Sequence, residues 1–238
     1  MAETIKLGEI SVVLTQKNVK NVHLTVHPPD GRVSLVAPTD TRLEVLRAYV
    51  ISKLSWIKSQ QRILKNQARE PRRHFTERES HYVWGRRYLL VIEYKDEKPS
   101  VVLKNKEIKL TVRHGATEQK RAEVMHDWYK ALLHNAIRPL IAKWEKKLGV
   151  VVSGYHLQRM KTKWGSCNHV AQNIRLNTEL AKKPKDLLEY VVVHEMVHLI
   201  EPTHSERFIH ILNKVYPSWR EARAELNGLP LSSEQWNE

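Results

Sequence analysis

Four residues towards the C-terminal end of the chain have the types and spacing of a metal-dependent hydrolase. His194, Glu195 and His198 form the pattern H-E-x-x-H, and His204 follows after five intervening residues. Residues four apart lie on the same face of a helix, with Cβ atoms about 5–6 Å apart, so both imidazoles can reach one small cation. Glu195 lies about 100° further around the helix, where it can take a proton from a metal-bound water. The pattern predicts a zinc hydrolase of the peptidase kind.

A catalytic zinc ion takes three protein ligands and keeps a fourth position open. Pro202 is expected to end the motif helix, and the S/T-x-x-E form of residues 203–206 predicts that a new helix begins at Thr203. His204 would then lie at a short corner and complete a site of three imidazoles around Zn²⁺, in which a water acquires a pKa of about 7. Some H-E-x-x-H enzymes use a downstream glutamate instead, and the alternatives here are Glu201, Glu221 and Glu225.

Two other side chains near the motif have an alternative, purely structural interpretation. Tyr190 precedes His194 by four residues and shares its helical face, so its phenol can stabilise an oxyanion or simply pack. Cys167 can bind a metal as a thiolate or lie in the core as a small apolar residue. His126 and His134 have no acidic or histidine partner four residues away, which favours exposed or core histidines over ligands.

The elements that must position the motif are predicted on both sides of it. Pro184 suits the first turn of the motif helix, and a long amphipathic helix is predicted from Thr117 to Leu148, with a kink or break at Pro139 and a stop at Gly149. Between these helices, hydrophobic patterning predicts strands over 150–155, 157–164 and 173–177, with a loop over 165–172.

The first half of the chain reads as mostly strands and contains no cluster of catalytic type. Alternating apolar residues over 4–38 predict a small antiparallel meander with a turn at 28–31, followed by one helix from Asp40 or Thr41 to about Asn66. A polar connector over 67–79 precedes strands at 82–84, 89–94, 101–103 and 108–112. No internal repeat is visible. We therefore predict a β-rich N-terminal region over 1–115 and a catalytic domain over 116–238.

Charge and composition indicate the partners and the cellular location of the protein. The 238 residues carry a net charge of +14, yet residues 166–238 hold eight Lys and Arg against ten Asp and Glu. A basic body beside a slightly acidic catalytic segment suggests DNA or another polyanion as a partner, a solvated basic surface being the alternative. No run approaches the roughly 18 apolar residues that span a bilayer, and Met1–Ile10 lacks a secretory signal. With one cysteine, these features predict a cytoplasmic protein without a membrane span.

Three segments together resemble the YgjP-like metallopeptidase family of bacteria, which is similar to the SprT and Spartan groups of zincin-like proteases. They are Lys163-Trp164-Gly165-Ser166-Cys167, Asn173-Ile174-Arg175-Leu176-Asn177, and Tyr190 to His198 with Pro202, His204, Ser205 and Phe208. The resemblance implies that His194, His198 and His204 bind zinc and that Glu195 is the catalytic base.

The resemblance also implies a fold and a way of binding substrate. The fold class is α+β, with a β-rich N-terminal half packed on a minimal zincin-like core: a backing helix, a small antiparallel or mixed sheet and the motif helix. In zincins the strand before the active-site helix commonly lines the cleft and pairs with an extended substrate. Here that strand is Asn173, Ile174, Arg175, Leu176 and Asn177.

Three functions remain open at this point. The first is a zinc-dependent metallopeptidase acting on a protein or peptide, with DNA-associated proteins among the candidates because Spartan relatives act on proteins bound or crosslinked to DNA. The second is a nucleic-acid-associated binding or regulatory protein whose zincin core has little catalytic activity. The third is a zinc hydrolase of a non-peptide amide, which would share the same site and differ in pocket shape.

Overall fold

The computed structural model describes residues 3–27, 31–66, 72–160 and 163–230. The chain divides into two compact units, Met1–Ala68 and Arg69–Glu238. The predicted boundary at 115/116 lies inside the second unit, because strands between residues 80 and 112 share one apolar core with the long helix that follows them. The predicted turn at 28–31 and connector at 67–79 lie partly outside the described residues.

Four strands form a mixed sheet in the first unit. They are β1 (Glu3–Leu7), β2 (Ile10–Lys17), β3 (His23–His27) and β4 (Arg32–Pro38). Their order is β1-β2-β4-β3, and β2 pairs with β4 in parallel. The predicted antiparallel meander is therefore wrong, since a meander would place β3 between β2 and β4. Alternating hydrophobicity identifies strands with one buried face, but it does not determine which strands pair.

The first unit contains two helices where one was predicted. Helix α1 runs over Leu43–Ser52 and α2 over Leu54–Asn66, and Lys53 separates them with φ −101° and ψ 3°. The N–H of Lys53 donates to the carbonyl of Val50 at 3.0 Å, a tight final turn for α1. Apolar residues continue at helical spacing across the break, and for this reason the sequence pattern does not reveal it.

A second sheet with the same connectivity opens the second unit. Its strands are β5 (Ser80–Val83), β6 (Arg86–Tyr94), β7 (Ser100–Lys104) and β8 (Glu107–Val112). Their order is β5-β6-β8-β7, with the central pair parallel and the outer pairs antiparallel, as in the first sheet. The topology thus recurs although the sequence shows no repeat, because different apolar residues can satisfy the same alternation.

The long helix α3 (Glu118–Leu148) packs into the apolar core of the second unit, and its ends confirm the predicted caps. The Oγ1 of Thr117 accepts the N–H of Lys120 at 3.2 Å, and Gly149 ends the helix with φ 68°, a left-handed conformation that suits glycine. Pro139 lies within the helix without ending it. Six large side chains of α3 are buried: Met125, Tyr129, Leu133, Ile137, Ile141 and Trp144.

A small three-stranded sheet lies between α3 and the motif helix in sequence. Strands β9 (Gly154–Gln158), β10 (Gly165–Asn168) and β11 (Asn173–Asn177) are ordered β10-β11-β9. Strand β11 is antiparallel to β10 and parallel to β9. The predicted strand at 173–177 is confirmed, whereas the loop predicted over 165–172 contains β10. Strand β10 begins with Gly165 and Ser166, which are not apolar, so the hydrophobic pattern does not indicate this strand.

The remaining helices complete an α+β fold, as predicted. A 3₁₀ helix (Thr178–Lys182) leads to α4 (Lys185–Val197), α5 (Glu206–Val215) and α6 (Trp219–Gly228). Helix α4 is buried on almost every side, so its residues belong to the core of the second unit. Within the described part of the chain, none of the helices combines the length and apolar character needed to cross a bilayer.

Candidate active site

Helix α4 carries the H-E-x-x-H residues at its carboxyl end. His194 lies in the last turn, and His198 is the C-cap residue, with φ −64° and ψ −16°. Because His198 keeps a helical conformation, its ring remains on the same face as that of His194, and the two ring centroids are 5.0 Å apart. The predicted helical spacing of the pair is therefore present, although the helix ends at Val197.

His204 lies in the turn before α5, not in its first helical turn. The N-cap of α5 is Ser205, whose Oγ accepts the N–H of Phe208 at 3.3 Å. The predicted cap at Thr203 is wrong by two residues, because the Thr203 hydroxyl donates to a carboxylate oxygen of Glu201 at 3.0 Å. The corner nevertheless brings His204 to the motif, with its Nε2 3.1 Å from the Nε2 of His194.

The three imidazoles fit a tetrahedral metal ion. One ring nitrogen of each of His194, His198 and His204 lies within 4.8 Å of the others. Tetrahedral zinc with Zn–N distances of 2.0–2.1 Å places its ligand nitrogens about 3.3 Å apart, close to the 3.1 Å between two of these nitrogens. The Nδ1 of His198 lies 3.1 Å from the carbonyl oxygen of Glu201, a hydrogen bond that leaves Nε2 of His198 to bind the metal.

The other candidate ligands do not join this cluster. Among the described residues, Glu201, Glu221 and Glu225 are absent from the group of donor atoms that converge. His134 instead pairs with the hydroxyl of Tyr155 at 2.9 Å. Burial and the nearby Glu195 raise the pKa of Cys167 to about 11, and its sulfur is not among the donor atoms that converge.

The motif imidazoles are held in the neutral form that binds metals. Burial lowers the pKa of His194 to about 3, and the nearby His198, His204 and Arg223 act in the same direction. Burial also lowers the pKa of His198. Since a protonated imidazole has no lone pair for a cation, this environment prepares the cluster for metal binding.

Phe208 of α5 forms an apolar wall behind all three rings. Its ring centroid lies 5.1 Å from that of His194, 4.6 Å from His198 and 4.8 Å from His204, and the side chain is 2% exposed. Aromatic contacts of this kind restrict the rotation of the imidazoles. The sequence pattern included Phe208 without a role, because its contact with the ligands depends on the corner between α4 and α5.

Glu195 is buried against the first residue of β10. Its side chain is 5% exposed, and burial raises its pKa to about 8, with the Lys163 ammonium acting in the opposite direction. A Cβ atom on Gly165 would lie 2.5 Å from the Glu195 Oε1, 2.7 Å from Cγ and 2.8 Å from Cδ. Glycine is required here because any side chain would occupy the volume of the carboxylate. Single-sequence reasoning did not identify this role, which needs the contact between α4 and β10.

A cavity of about 690 Å³, the catalytic cleft, surrounds these residues. Strand β10 contributes Gly165, Ser166 and Cys167 to its lining, and α6 contributes residues including Trp219 and Arg223. The exposed Arg223 brings a positive charge to the cleft, a feature that the sequence patterns did not indicate.

Tyr190 lines the catalytic cleft while remaining 5% exposed. Its ring contacts His194 edge-on with centroids 5.8 Å apart and lies 6.2 Å from the ring of Tyr216. Burial raises the pKa of its phenol. The side chain therefore restricts the position of the His194 ring, and its hydroxyl keeps its proton at neutral pH.

The predicted substrate-facing strand must be corrected. Strand β11, with Asn173, Ile174, Arg175, Leu176 and Asn177, is hydrogen-bonded to β10 on one side and β9 on the other. A central strand has no unpaired backbone edge for a peptide. Within the described residues β10 pairs with β11 alone, and β10 also lines the catalytic cleft. The order of the strands, which sequence does not determine, makes β10 the available edge.

Comparisons with solved structures and curated proteins gave little. Two solved structures show limited similarity. The metallopeptidase zymogen of Pyrococcus abyssi abylysin has 20% identity and a TM-score of 0.33. The match covers 41% of this chain and 90% of the abylysin chain. The zymogen of Methanocaldococcus jannaschii jannalysin has 18% identity and a TM-score of 0.30, covering 41% and 86%. Curated proteins gave no match.

A family profile covers nearly the whole chain. The family described as "YgjP-like, metallopeptidase domain" matches residues 20–229, a span that includes every strand from β3 onwards and the three clustered histidines. Membership implies a divalent metal and protein or peptide substrates. The chain belongs to the YgjP-like metallopeptidase family.

Proposed function

We propose that this protein is a zinc-dependent metallopeptidase that uses the H-E-x-x-H-x5-H residues of α4 and the following corner. The observation that carries the proposal is the convergence of three imidazoles beside one buried carboxyl group. His194, His198 and His204 would hold the metal. Three neutral ligands leave the full charge of a divalent ion available for catalysis.

When bound, Zn²⁺ supplies a Lewis acid that polarises the scissile carbonyl and makes water acidic at neutral pH. Glu195 is the general base: burial raises its pKa to about 8, and the positive charge of a cation held by the neighbouring imidazoles would favour the ionised carboxylate. Its carboxylate accepts the proton of the attacking water at an Oε atom and returns that proton to the leaving amine. The missing side chain of Gly165 leaves the carboxylate room for this exchange. Phe208 and Tyr190 hold the imidazoles in position during the reaction.

We propose that an extended peptide pairs with the outer edge of β10. Backbone hydrogen bonds to Gly165, Ser166 and Cys167 would draw the peptide across the cleft with little dependence on its side chains. A peptide bond suits this arrangement better than an isolated amide, because an isolated amide offers no neighbouring backbone groups to the strand. Affinity for DNA or DNA-associated substrates stays a prediction from the net charge of +14.

The test is hydrolysis of an unfolded protein by the wild-type chain and by Glu195→Gln, with and without DNA. We expect Glu195→Gln to retain the wild-type content of zinc and to lose about 10²- to 10⁴-fold in rate, since only the base is removed. Glu206→Gln is the matched control, because Glu206 is exposed on α5 and lines no part of the cleft. Equal cleavage by Glu195→Gln and wild type would exclude the assignment. A zinc-loaded wild type that leaves peptides intact would favour the binding protein.

A further inference from the structure

The second unit contains another cavity, which shares no lining residue with the catalytic cleft. It has a volume of about 470 Å³ and is formed by the segment 72–81, the first part of α3, Arg159 and the 3₁₀ helix Thr178–Lys182. We call it the cationic cavity. Its lining residues are Arg72, Arg73, Phe75, His81, Glu118, Gln119, Ala122, Met125, His126, Tyr129, Arg159, Thr178, Glu179 and Lys182.

Positive side chains outnumber negative ones in this lining. Arg72, Arg73, Arg159 and Lys182 face two carboxylates in the lining, those of Glu118 and Glu179, and a third carboxylate, that of Glu79, lies next to the lining residue His81. Glu118 pairs with Arg72 at 3.3 Å, and Glu179 pairs with Lys182 at 2.6 Å and with Arg159 at 3.5 Å. Within the described residues, no hydrogen bond or ion pair involves the half-buried Arg73. The concave shape concentrates the surplus positive charge and attracts anions.

The charges of the 3₁₀ helix are fixed before any ligand arrives. The Glu179 side chain is 6% exposed and that of Lys182 is 14% exposed. The Nζ of Lys182 also lies 5.6 Å from the centre of the Tyr129 ring. Because a buried ion pair with several partners cannot reorganise freely, it presents a preformed surface and lowers the entropy cost of binding.

The opposite wall is a strained turn that Glu79 holds together. Its carboxylate accepts the backbone N–H of His74 at 2.9 Å and of Phe75 at 2.8 Å, and it bonds Nε2 of His81 at 2.9 Å. Phe75 and Arg78 adopt left-handed conformations with φ of 51° and 59°, which cost energy for residues with side chains. Strain of this kind persists where the surrounding structure enforces it. The turn thereby fixes the approach of Phe75 to the cavity.

One side of the cavity offers apolar and aromatic surface. The half-buried Phe75 lies there, with Met125 and Tyr129, which are 0% and 5% exposed, behind it and with the imidazoles of His81 and His126 beside it. Burial lowers the pKa of His81 to about 4 and also lowers that of His126, so both rings are neutral at pH 7, and the half-buried His126 can exchange hydrogen bonds with a ligand. A cationic wall facing a largely apolar one suits a small molecule with an anionic group and a planar body.

We propose that the cationic cavity binds a small organic phosphate. The phosphate group would lie among the guanidinium groups of Arg73 and Arg159, whose forked donors match phosphate oxygens, and the planar body would lie against the half-buried rings of Phe75 and His126. The cavity volume lies within the range of about 300–1,000 Å³ that is usual for small-molecule sites. This site is independent of the peptidase chemistry.

Calorimetric titration of the full chain at low ionic strength tests the proposal with three probes: AMP, adenosine and inorganic phosphate. We expect AMP to bind with one-to-one stoichiometry, phosphate to bind more weakly, and adenosine to give no measurable binding. Arg73→Ala should weaken AMP binding about tenfold, because it removes a charge-assisted donor pair. His126→Ala, on the α3 wall, should weaken it about fivefold.

Arg138→Ala is the matched control, since Arg138 is exposed on α3 and lies 12 residues, or about 18 Å, beyond His126 along the helix. It should change AMP affinity less than twofold. Equal weakening in Arg138→Ala and Arg73→Ala would reduce the effect to general surface charge and overturn the proposal. AMP binding that survives Arg73→Ala and His126→Ala but disappears in His198→Ala would place the anion at the metal cluster and overturn it equally, as would the absence of AMP binding at millimolar concentration.

Discussion

The catalytic cleft and the cationic cavity lie in the same unit, but burial favours opposite ligand charges in the two places. In the cleft, burial keeps imidazoles neutral, so their lone pairs remain available to a cation. In the cationic cavity, a buried carboxylate fixes a lysine and an arginine, and the surplus positive charge suits an anion. The difference shows that burial alone does not determine the charge of a ligand. The charge of the ligand depends on which neutral bases, carboxylates and held lysine or arginine side chains surround the cavity.

The two cavities also differ in how the chain builds them. The metal ligands come from 11 consecutive residues, His194 to His204, whereas the cationic cavity collects side chains from four separate segments. A local site leaves a motif in the sequence. A site assembled from distant segments leaves only scattered arginines and histidines, which resemble ordinary surface residues.

Removing a metal ligand should distinguish the functions of the two cavities most clearly. We expect His204→Ala to lose bound metal and about 10³-fold or more in peptidase rate, because Lewis-acid stabilisation is worth several kcal/mol. AMP binding at the cationic cavity should stay unchanged. Metal content by mass spectrometry and calorimetry check both expectations. Glu201→Gln is the control for the third ligand, and loss of metal in that variant alone would transfer the ligand role to Glu201.

Filling the space beside the base should produce the next largest effect. Gly165→Ala would place a methyl group 2.5 Å from the Glu195 Oε1 and displace the carboxylate. A displacement near 1 Å costs roughly 10²-fold in rate, while the metal ligands are untouched. Gly228→Ala is the matched control, since its Cβ would meet nothing within 4 Å. Steady-state kinetics at equal metal content decide the comparison, and equal rates for the two variants would contradict the contact.

The buried histidine beside the cationic cavity should make stability depend on pH. The pKa of His81 falls from 6.5 to about 4 because burial outweighs the opposing Glu79 carboxylate, which also accepts two backbone N–H groups. Between pH 6.5 and 4 the unfolded chain binds the additional proton, so this contribution is present above pH 6.5 and is lost as the pH falls. We expect about 2 kcal/mol less stability at pH 5 than at pH 7 from this group.

Urea unfolding of the wild type and His81→Gln at both pH values isolates the contribution of His81. Other carboxylates titrate in both proteins, so the difference between the two pH dependences belongs to His81. An identical pH dependence in the two proteins would mean that His81 is not held neutral.

The smallest effect should come from the Tyr190 hydroxyl. Because the ring is 5% exposed and packs against His194 and Tyr216, we expect Tyr190→Phe to retain the metal and to lose less than about threefold in kcat. Removal of a hydrogen bond to a developing oxyanion would cost about 10²- to 10³-fold instead. Kinetics of Tyr190→Phe beside wild type distinguish a packing ring from an oxyanion donor.

Local physics accounts for what the sequence predicted well. The caps of α3 at Thr117 and Gly149 and the strand at Asn173–Asn177 depend on neighbouring residues, and these predictions are confirmed. The prediction that His204 lies near the motif pair depended on a short corner, and the structure places its ring there although the cap is Ser205. Each of these features is set within a few residues.

Non-local pairing accounts for what the sequence did not show. Which strand of the small sheet is the edge depends on β9 pairing with β11 from some 20 residues away, and the parallel pairs of the two larger sheets are of the same kind. The role of Gly165 depends on the approach of α4 to β10. These contacts come from the minimisation of exposed apolar surface over the whole unit, and no short window of residues records them.

The contact between Gly165 and Glu195 has a consequence for the two faces of β10. Successive side chains of a strand point to opposite faces, so Gly165 and Cys167 share the face that meets Glu195, and Ser166 points the other way. One face of β10 is thus constrained by the Glu195 carboxyl group. Substitutions at Ser166 are expected to leave the contact between Gly165 and Glu195 unchanged.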